Sequence, residues 1–426
     1  MHQAEIKAPV QSVRSWQKRI FFICWVTYAA YYLGRVNLPV ALPAMQAEFG
    51  WSKTVAGLIG SSFYWVYAIG QLVNGQLGDR VSARRFVALG LGASALLNVL
   101  FASSGSLVIM AALWMLNGWP QSTGWGPIMK TLSRWFSPQQ RGRITALFSP
   151  CYVAGHALSW AMTGWLVSQW GWRTAFWIPG LLLLVAAIAW YSIARDAPPS
   201  QQPQPVVAAP KGSALNIFRP LKTILRHPTL RWALGTCFLS GMIKDGLTLW
   251  GTTYLIEQTG LSLPLAALTS VLIPVAGIGG VFLAGWLIQG ADERSEVPVV
   301  LALAMLMVLA IVGLYAIGGT QTWWLPAGLL AATALASHGI NALLMSALPL
   351  SLGARGQVSS AAGTFDFASY VGGGMSAILV GGLQDRFGWA AVYALWAGVA
   401  IVIAALAGWQ RARPRVLEPS ADQVSR

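Results

Sequence analysis

Apolar residues come in runs of about twenty, separated by short polar or basic stretches, and this pattern repeats along the whole chain. The runs fall at 20–45, 54–78, 86–105, 107–131, 144–168, 173–195, 229–256, 264–290, 297–318, 322–350, 356–381 and 387–410. A helix rises 1.5 Å per residue, so each run is long enough to cross about 30 Å of hydrocarbon. The pattern predicts an all-α membrane protein with twelve transmembrane helices.

Composition agrees. Of 426 residues, 56% are hydrophobic, 10% are charged and 22 are tryptophan, which excludes a water-soluble surface. The formal net charge of +15 raises nucleic acid as a partner, but the cations are sorted by side. One set of loops and tails collects almost all of them, including Arg14, Arg80, Arg84, Arg85, Lys130, Arg141, Arg195, Arg226, Arg355 and Arg411, while the other holds only Lys53, Arg173 and Arg386. Positive charge collects on the cytoplasmic side of membrane proteins. Both termini and the central loop are therefore expected in the cytoplasm and the chain in the inner membrane, with the lipid bilayer as partner and no nucleic acid. Cys24, Cys151 and Cys237 are odd in number and far apart, so they suggest neither a disulfide framework nor a metal site. The first 19 residues are polar and basic with no small-residue cleavage site after the first apolar run, as expected of an uncleaved anchor.

The stretch "DAPPSQQPQPVVAAPKG" that begins at Asp196 cannot bury a core and reads as a linker, which predicts units of 1–195 and 229–426 joined by a cytoplasmic segment at 196–228. Landmarks recur between the two units. Arg35 matches Lys244 at an offset of 209, Gly75 matches Gly285 at 210, Arg141-Gly142 matches Arg355-Gly356 at 214, and Gly171 matches Gly388 at 217. Two parallel six-helix bundles related by pseudo-symmetry enclose a central cavity. Arg35 and Lys244 sit at equivalent depths in helices 1 and 7, so two cations from opposite bundles face one chamber. A charge inside a membrane is costly and marks a partner or a task; two cations call for an anion.

Three groups of residues carry a family resemblance. "GQLGDRVSARR" resembles the loop between helices 2 and 3 of the major facilitator superfamily, with Gly75, Asp79, Arg80, Arg84 and Arg85 on the motif and Ser82 where a second glycine is usual. Asp79 near a helix end is a candidate to hold a gate through arginine pairing. More narrowly, "YAAYYLGRVNLPVALPAM" in helix 1 and "NGWPQSTGWGPIMKTLSRWFSPQQRG" in helix 4 resemble the organophosphate:phosphate antiporter family. The resemblance implies the major facilitator fold and exchange of a phosphorylated organic anion for inorganic phosphate. It also implies that the helix 1 and helix 7 cations, here Arg35 and Lys244, grip the phosphoryl oxygens. Some members carry a helix 2 lysine where this chain has Gln71 and a helix 5 histidine where it has Tyr152.

The remaining candidates follow from position. Tyr28, Tyr32 and Arg35 at i, i+4 and i+7 form one polar stripe on helix 1. Adjacent helical residues do not face each other, so Asp245 is not expected to neutralise Lys244. Asp366 on helix 11 is the repeat equivalent of Tyr152, and three readings of it stand: a partner for Lys244, a carrier of a coupling proton, or a site for an amino group on a zwitterion such as an aminophosphonate. His338 and Asn341 share a face of helix 10, with helix packing as the competing role; Trp119, Gln121 and Trp125 belong to the helix 4 segment, the tryptophans read as packing. No phosphate-binding loop, nucleotide fingerprint, metal-ligand spacing or nucleophile elbow occurs, so no cofactor is expected and an enzyme is excluded. The expected function is secondary transport of a small organic phosphate or phosphonate by a monomer, with inorganic phosphate as counter-substrate. A proton-coupled symporter using Asp366 and a membrane sugar-phosphate sensor are the alternatives.

Overall fold

The structure is a computed structural model, and it describes residues 10–198, 225, 228–288, 296–318, 322–351 and 358–412. The linker expected at 196–228 falls almost wholly outside these residues, as does Arg355-Gly356.

Fifteen helices among the described residues build the twelve spans of a major facilitator fold. The first six spans comprise α1 Val10–Leu33 with α2 Leu38–Phe49, α3 Lys53–Arg80, α4 Ala83–Ser103, α5 Leu107–Gln121 with α6 Trp125–Trp135, α7 Pro138–Phe148 leading into α8 Pro150–Trp170, and α9 Thr174–Ile193. The second six comprise α10 Pro228–Thr259, α11 Leu263–Ser270 with α12 Leu272–Leu287, α13 Glu296–Ile317, α14 Trp324–Ser351 and α15 Val358–Ala412. The last helix holds two spans merged across Gly388, whose φ of 70° bends the chain without a loop where 382–386 was expected to supply one.

Helix starts and stops follow local chemistry. Ser52 and Ser82 begin α3 and α4 by accepting the amides of Val55 and Arg85, the ordinary use of serine at an N-terminus. Ser82 thus has a structural reason to stand where the family motif has glycine. Gly50 closes α2 with a φ of 65° and Gly260 closes α10 with a φ of 68°, and each precedes a serine two residues on. That pair and the positive-φ pair Gly171 and Gly388 extend the internal repeat to the backbone.

A second symmetric pair sits beside them: the Trp172 indole donates to Glu48 at 2.8 Å, and the Trp389 indole to Glu257 at 2.9 Å.

Seven helices among the described residues are long and apolar enough to cross a membrane by composition alone, and they cover spans 2, 3, 6 and 8 to 12. Spans 1, 4, 5 and 7 fall short because they are broken or carry polar groups, and those are spans that line the central cavity.

Glycines let the two halves meet. A Cβ on Gly57 would strike the Ala377 carbonyl, one on Gly381 the Lys53 carbonyl, and one on Gly60 would lie 2.7 Å from Leu249. Small residues allow this close backbone approach where no hydrophobic force separates helix from lipid.

Candidate functional site

Helix 1 is interrupted at Gly34–Asn37, and the break is built by buried amides. Asn98 and Asn117 donate to the Gly34 carbonyl at 3.1 and 2.8 Å, and the Trp160 indole donates to the Val36 carbonyl at 2.8 Å. Asn37 donates to Asn98 Oδ1 at 3.1 Å and to the Ala175 carbonyl at 2.9 Å. Unwound backbone at membrane depth must be satisfied internally, and these side chains do it. Held in that break, Arg35 projects inward, its Nη1 donating to the Tyr67 hydroxyl at 2.9 Å and its guanidinium lying 3.9 Å from the Tyr32 ring centroid.

Lys244 reaches the same chamber from α10, with Nζ 4.8 Å from the Tyr370 ring centroid. Tyr67 and Tyr370 touch edge to face at 4.5 Å, so the two cations flank one pair of rings contributed by opposite halves. Both line a cavity of about 1060 Å³. Tyr28, Tyr32, Gln71, Tyr152, His338, Asn341 and Asp366 line it too, so every binding residue expected from sequence shares one chamber.

The partnerships differ from expectation in two places. Lys244 Nζ pairs with Asp245 Oδ1 at 2.9 Å, although the two are adjacent. Their Cβ atoms do diverge around the helix, but the four-carbon lysine stem curls back to the neighbouring carboxylate. Asp366 has no ion pair with Lys244 among the described residues; its Oδ2 accepts a 3.1 Å hydrogen bond from Gln71 Nε2, which also bonds the Tyr67 hydroxyl at 3.0 Å.

Asn341 serves packing as well as the cavity: its amide donates to Ser240 Oγ at 2.8 Å, tying α14 to α10. His338 engages the Ala334 carbonyl at 2.9 Å, and the His156 ring lies 4.5 Å from the Tyr32 ring at a tilt of 47°.

Of the helix 4 segment, Gln121 is buried and donates to Ser94 at 2.8 Å. Trp119 and Trp125 are 40% and 38% exposed, so neither is a buried packing residue, and Trp125 lines the cavity 5.0 Å from the Tyr28 ring.

Sequence reasoning missed Tyr67 and Tyr370. Each stands one turn from a recognised residue, Gln71 and Asp366, and that i, i+4 spacing was the available signal.

The cavity is shut at one end. Lys53 pairs with Glu257 across the halves at 2.6 Å. Asp385 caps the N-terminus of α3 from the opposite half, accepting the Lys53 amide at 2.9 Å, the Thr54 amide at 2.8 Å and the Thr54 hydroxyl at 2.7 Å. Partial burial pushes the Asp385 carboxyl up, but these donors outweigh it and hold the group below the usual carboxylate range. Among the described residues, hydrogen bonds and ion pairs join the halves from this end as far as Gln71 and Asp366, and the cavity extends past them to Gln76, Lys130 and Ser133.

At the other end of the cavity lies the "GQLGDRVSARR" motif. Gly75 lines the cavity, the side chain of Asp79 falls outside the described residues, and Arg80 is half-buried while Arg85 is exposed. The Arg84 amide donates to Asp196 at 2.9 Å and its guanidinium lies 4.6 Å from the Tyr191 ring, so Arg84 is held within its own half.

The fold and chamber define a membrane carrier, and comparison with known proteins agrees. The sequence profile of the Major Facilitator Superfamily matches residues 24–374. A probable hexose phosphate transport protein of Chlamydia pneumoniae is 27% identical over 395 residues, covering 88% of this chain and 86% of its own. The glycerol-3-phosphate transporter of Bacillus subtilis (strain 168) is 28% identical over 396 residues, covering 87% of each. Among solved structures, the nucleoside transporter NupG superposes with a TM-score of 0.72 at 13% identity, covering 94% of this chain and 100% of its own, which shows the fold alone. The chain belongs to the Major Facilitator Superfamily. It is a multi-pass membrane protein and not an enzyme.

Proposed function

We propose that this protein carries a small phosphorylated or phosphonated organic anion across the inner membrane in exchange for inorganic phosphate, with Arg35 and Lys244 binding the phosphoryl group. One observation carries the reading: the two cations come from opposite halves and line a single chamber. The names of the relatives support the substrate class. The basic loops support an orientation with both termini and the end of the chamber beside Lys130 in the cytoplasm.

In this reading the two halves, 1–195 and 229–426, rock around the site, joined by 196–228. Arg35 offers a planar fork to phosphoryl oxygens, and each charge-assisted hydrogen bond contributes about 1.5 to 3 kcal/mol. Lys244 spends one of its three donors on Asp245, which leaves two for the ligand. Among the described residues Arg35 has no carboxylate partner, so closing the chamber on an empty site buries an uncompensated guanidinium. An anion aboard removes that cost, and exchange follows from it.

Counterflow tests the reading. Proteoliposomes preloaded with phosphate should take up a labelled organic phosphate or phosphonate from a screened set, and Arg35→Lys should cut that uptake by about tenfold or more while membrane insertion persists. Undiminished uptake by Arg35→Lys would remove the assigned role.

Proton-coupled uptake of another organic anion is the second reading. It is favoured by Asp366, which stands in the chamber bonded to an amide and not paired with Lys244. The two readings part on whether uptake collapses with an uncoupler or requires phosphate on the far side.

A further inference from the structure

The charges that face the centre of the chamber do not add up to a plain anion site. Arg35 and Lys244 contribute two positive groups, Asp245 and Asp366 two negative ones, and Lys244 and Asp245 already satisfy each other at 2.9 Å. What is left is polarised: a guanidinium on the helix 1 side and a carboxylate on helix 11. The two ends are joined through hydrogen bonds: Arg35 Nη1 donates to the Tyr67 hydroxyl at 2.9 Å, and Gln71 Nε2 donates both to that hydroxyl at 3.0 Å and to Asp366 Oδ2 at 3.1 Å. These links place Nη1 and Oδ2 no more than about 9 Å apart.

Gln71 orients the carboxylate as a neutral donor, Lys244 and Arg35 act on it only through space, and Asp366 Oδ1 accepts nothing among the described residues. A carboxylate with no ion-pair partner among the described residues works against a phosphoryl dianion in the same chamber. The arrangement makes sense for a ligand that brings both signs.

We propose that the preferred organic substrate is a zwitterion, a phosphate or phosphonate bearing a primary ammonium group, with its anionic head on Arg35 and Lys244 and its ammonium on Asp366. This rests on the exchanger reading above and names its substrate class. Spacing limits the ligand: hydrogen bonds of about 2.8 Å at each end leave room for a linker of about one to three atoms. The other groups facing the carboxylate fit this assignment. Tyr370 lies one turn along the same helix, His338 engages the Ala334 carbonyl through Nδ1, and neither makes an ion pair with Asp366 among the described residues.

The test is competition against labelled phosphate self-exchange in proteoliposomes, using ω-aminoalkylphosphonates of one to five carbons beside the alkylphosphonates of equal length. For the wild-type protein, 2-aminoethylphosphonate should compete at a concentration about tenfold or more below ethylphosphonate, with the preference fading beyond three carbons. Asp366→Asn and, independently, Gln71→Lys, which supplies a cation to the carboxylate, should each bring that ratio to within about twofold of unity. Equal competition by the amino and unsubstituted series in the wild-type protein, with phosphate self-exchange robust, overturns the zwitterion assignment alone. Absence of phosphate self-exchange in the wild-type protein overturns the exchanger reading and this inference with it.

Discussion

Replacing Asp385 with asparagine probes the closed end of the chamber. The carboxylate accepts three hydrogen bonds at 2.7 to 2.9 Å from the start of α3, a helix in the opposite half, and those donors include the first free amides of that helix. A full charge at a helix N-terminus contributes about 0.3 to 1 kcal/mol, and charge-assisted bonds contribute more. Asp385 is exposed, so solvent screening reduces the sum, and asparagine keeps one accepting oxygen. The net loss is about 1 to 2 kcal/mol of closure, which moves the ratio of open to closed forms at this end by about 5- to 30-fold. Spin labels on Gly105→Cys and Trp323→Cys, at surface positions of opposite halves near this end, report the separation by pulsed dipolar spectroscopy. The native cysteines are buried and should not compete for label. Asp385→Asn should lengthen the separation in a clearly enlarged fraction of molecules. An unchanged distance distribution would refute the assignment of this cap as a latch.

Acid should act in the same direction as that substitution. The Asp385 carboxyl is held below its ordinary range in the closed form, so its contribution to closure is complete above that range and is lost as pH falls through the lowered value; the same spin-label pair should show opening there, and Asp385→Asn should not respond. Asn98→Ala removes a donor to the Gly34 carbonyl and the acceptor for Asn37, a buried loss of about 1 to 3 kcal/mol that should lower the thermal midpoint in detergent and weaken phosphate binding together. Gly241→Ala drives a methyl into the Ser369 backbone where α10 meets α15, and should cost about 1 to 3 kcal/mol by the same thermal measurement. Were the midpoint of Gly241→Ala unchanged, the close approach of those helices would be wrong.

How much of this was legible in the sequence depended on period and polarity. The twelve spans were visible because a bilayer demands about twenty apolar residues each time. Arg35, Lys244 and Asp366 stood out because charge in such a run is expensive. The side chains that build the break in helix 1 were not visible: Asn37, Asn98 and Asn117 are common residues far apart in sequence, and only the fold brings Asn98 and Asn117 to the Gly34 carbonyl and Asn37 to Asn98. The Lys244 to Asp245 pair was misjudged because the rule for adjacent residues concerns Cβ directions, whereas lysine has four methylenes with which to evade it. The cap by Asp385 was hidden for another reason. It joins residues 331 and 332 positions apart across the interface between the halves, and the internal repeat gives no hint of it, since Ser168 occupies the equivalent place in the first half.

The central claim is that Arg35 and Lys244 hold one and the same anion. Arsenate, a phosphate analogue, can be located by its anomalous scattering in crystals of the purified protein. The account predicts a single strong peak in the chamber within hydrogen-bond reach of both the Arg35 guanidinium and the Lys244 ammonium. A peak that touches only one of them, or none in the chamber at saturating arsenate, would contradict it.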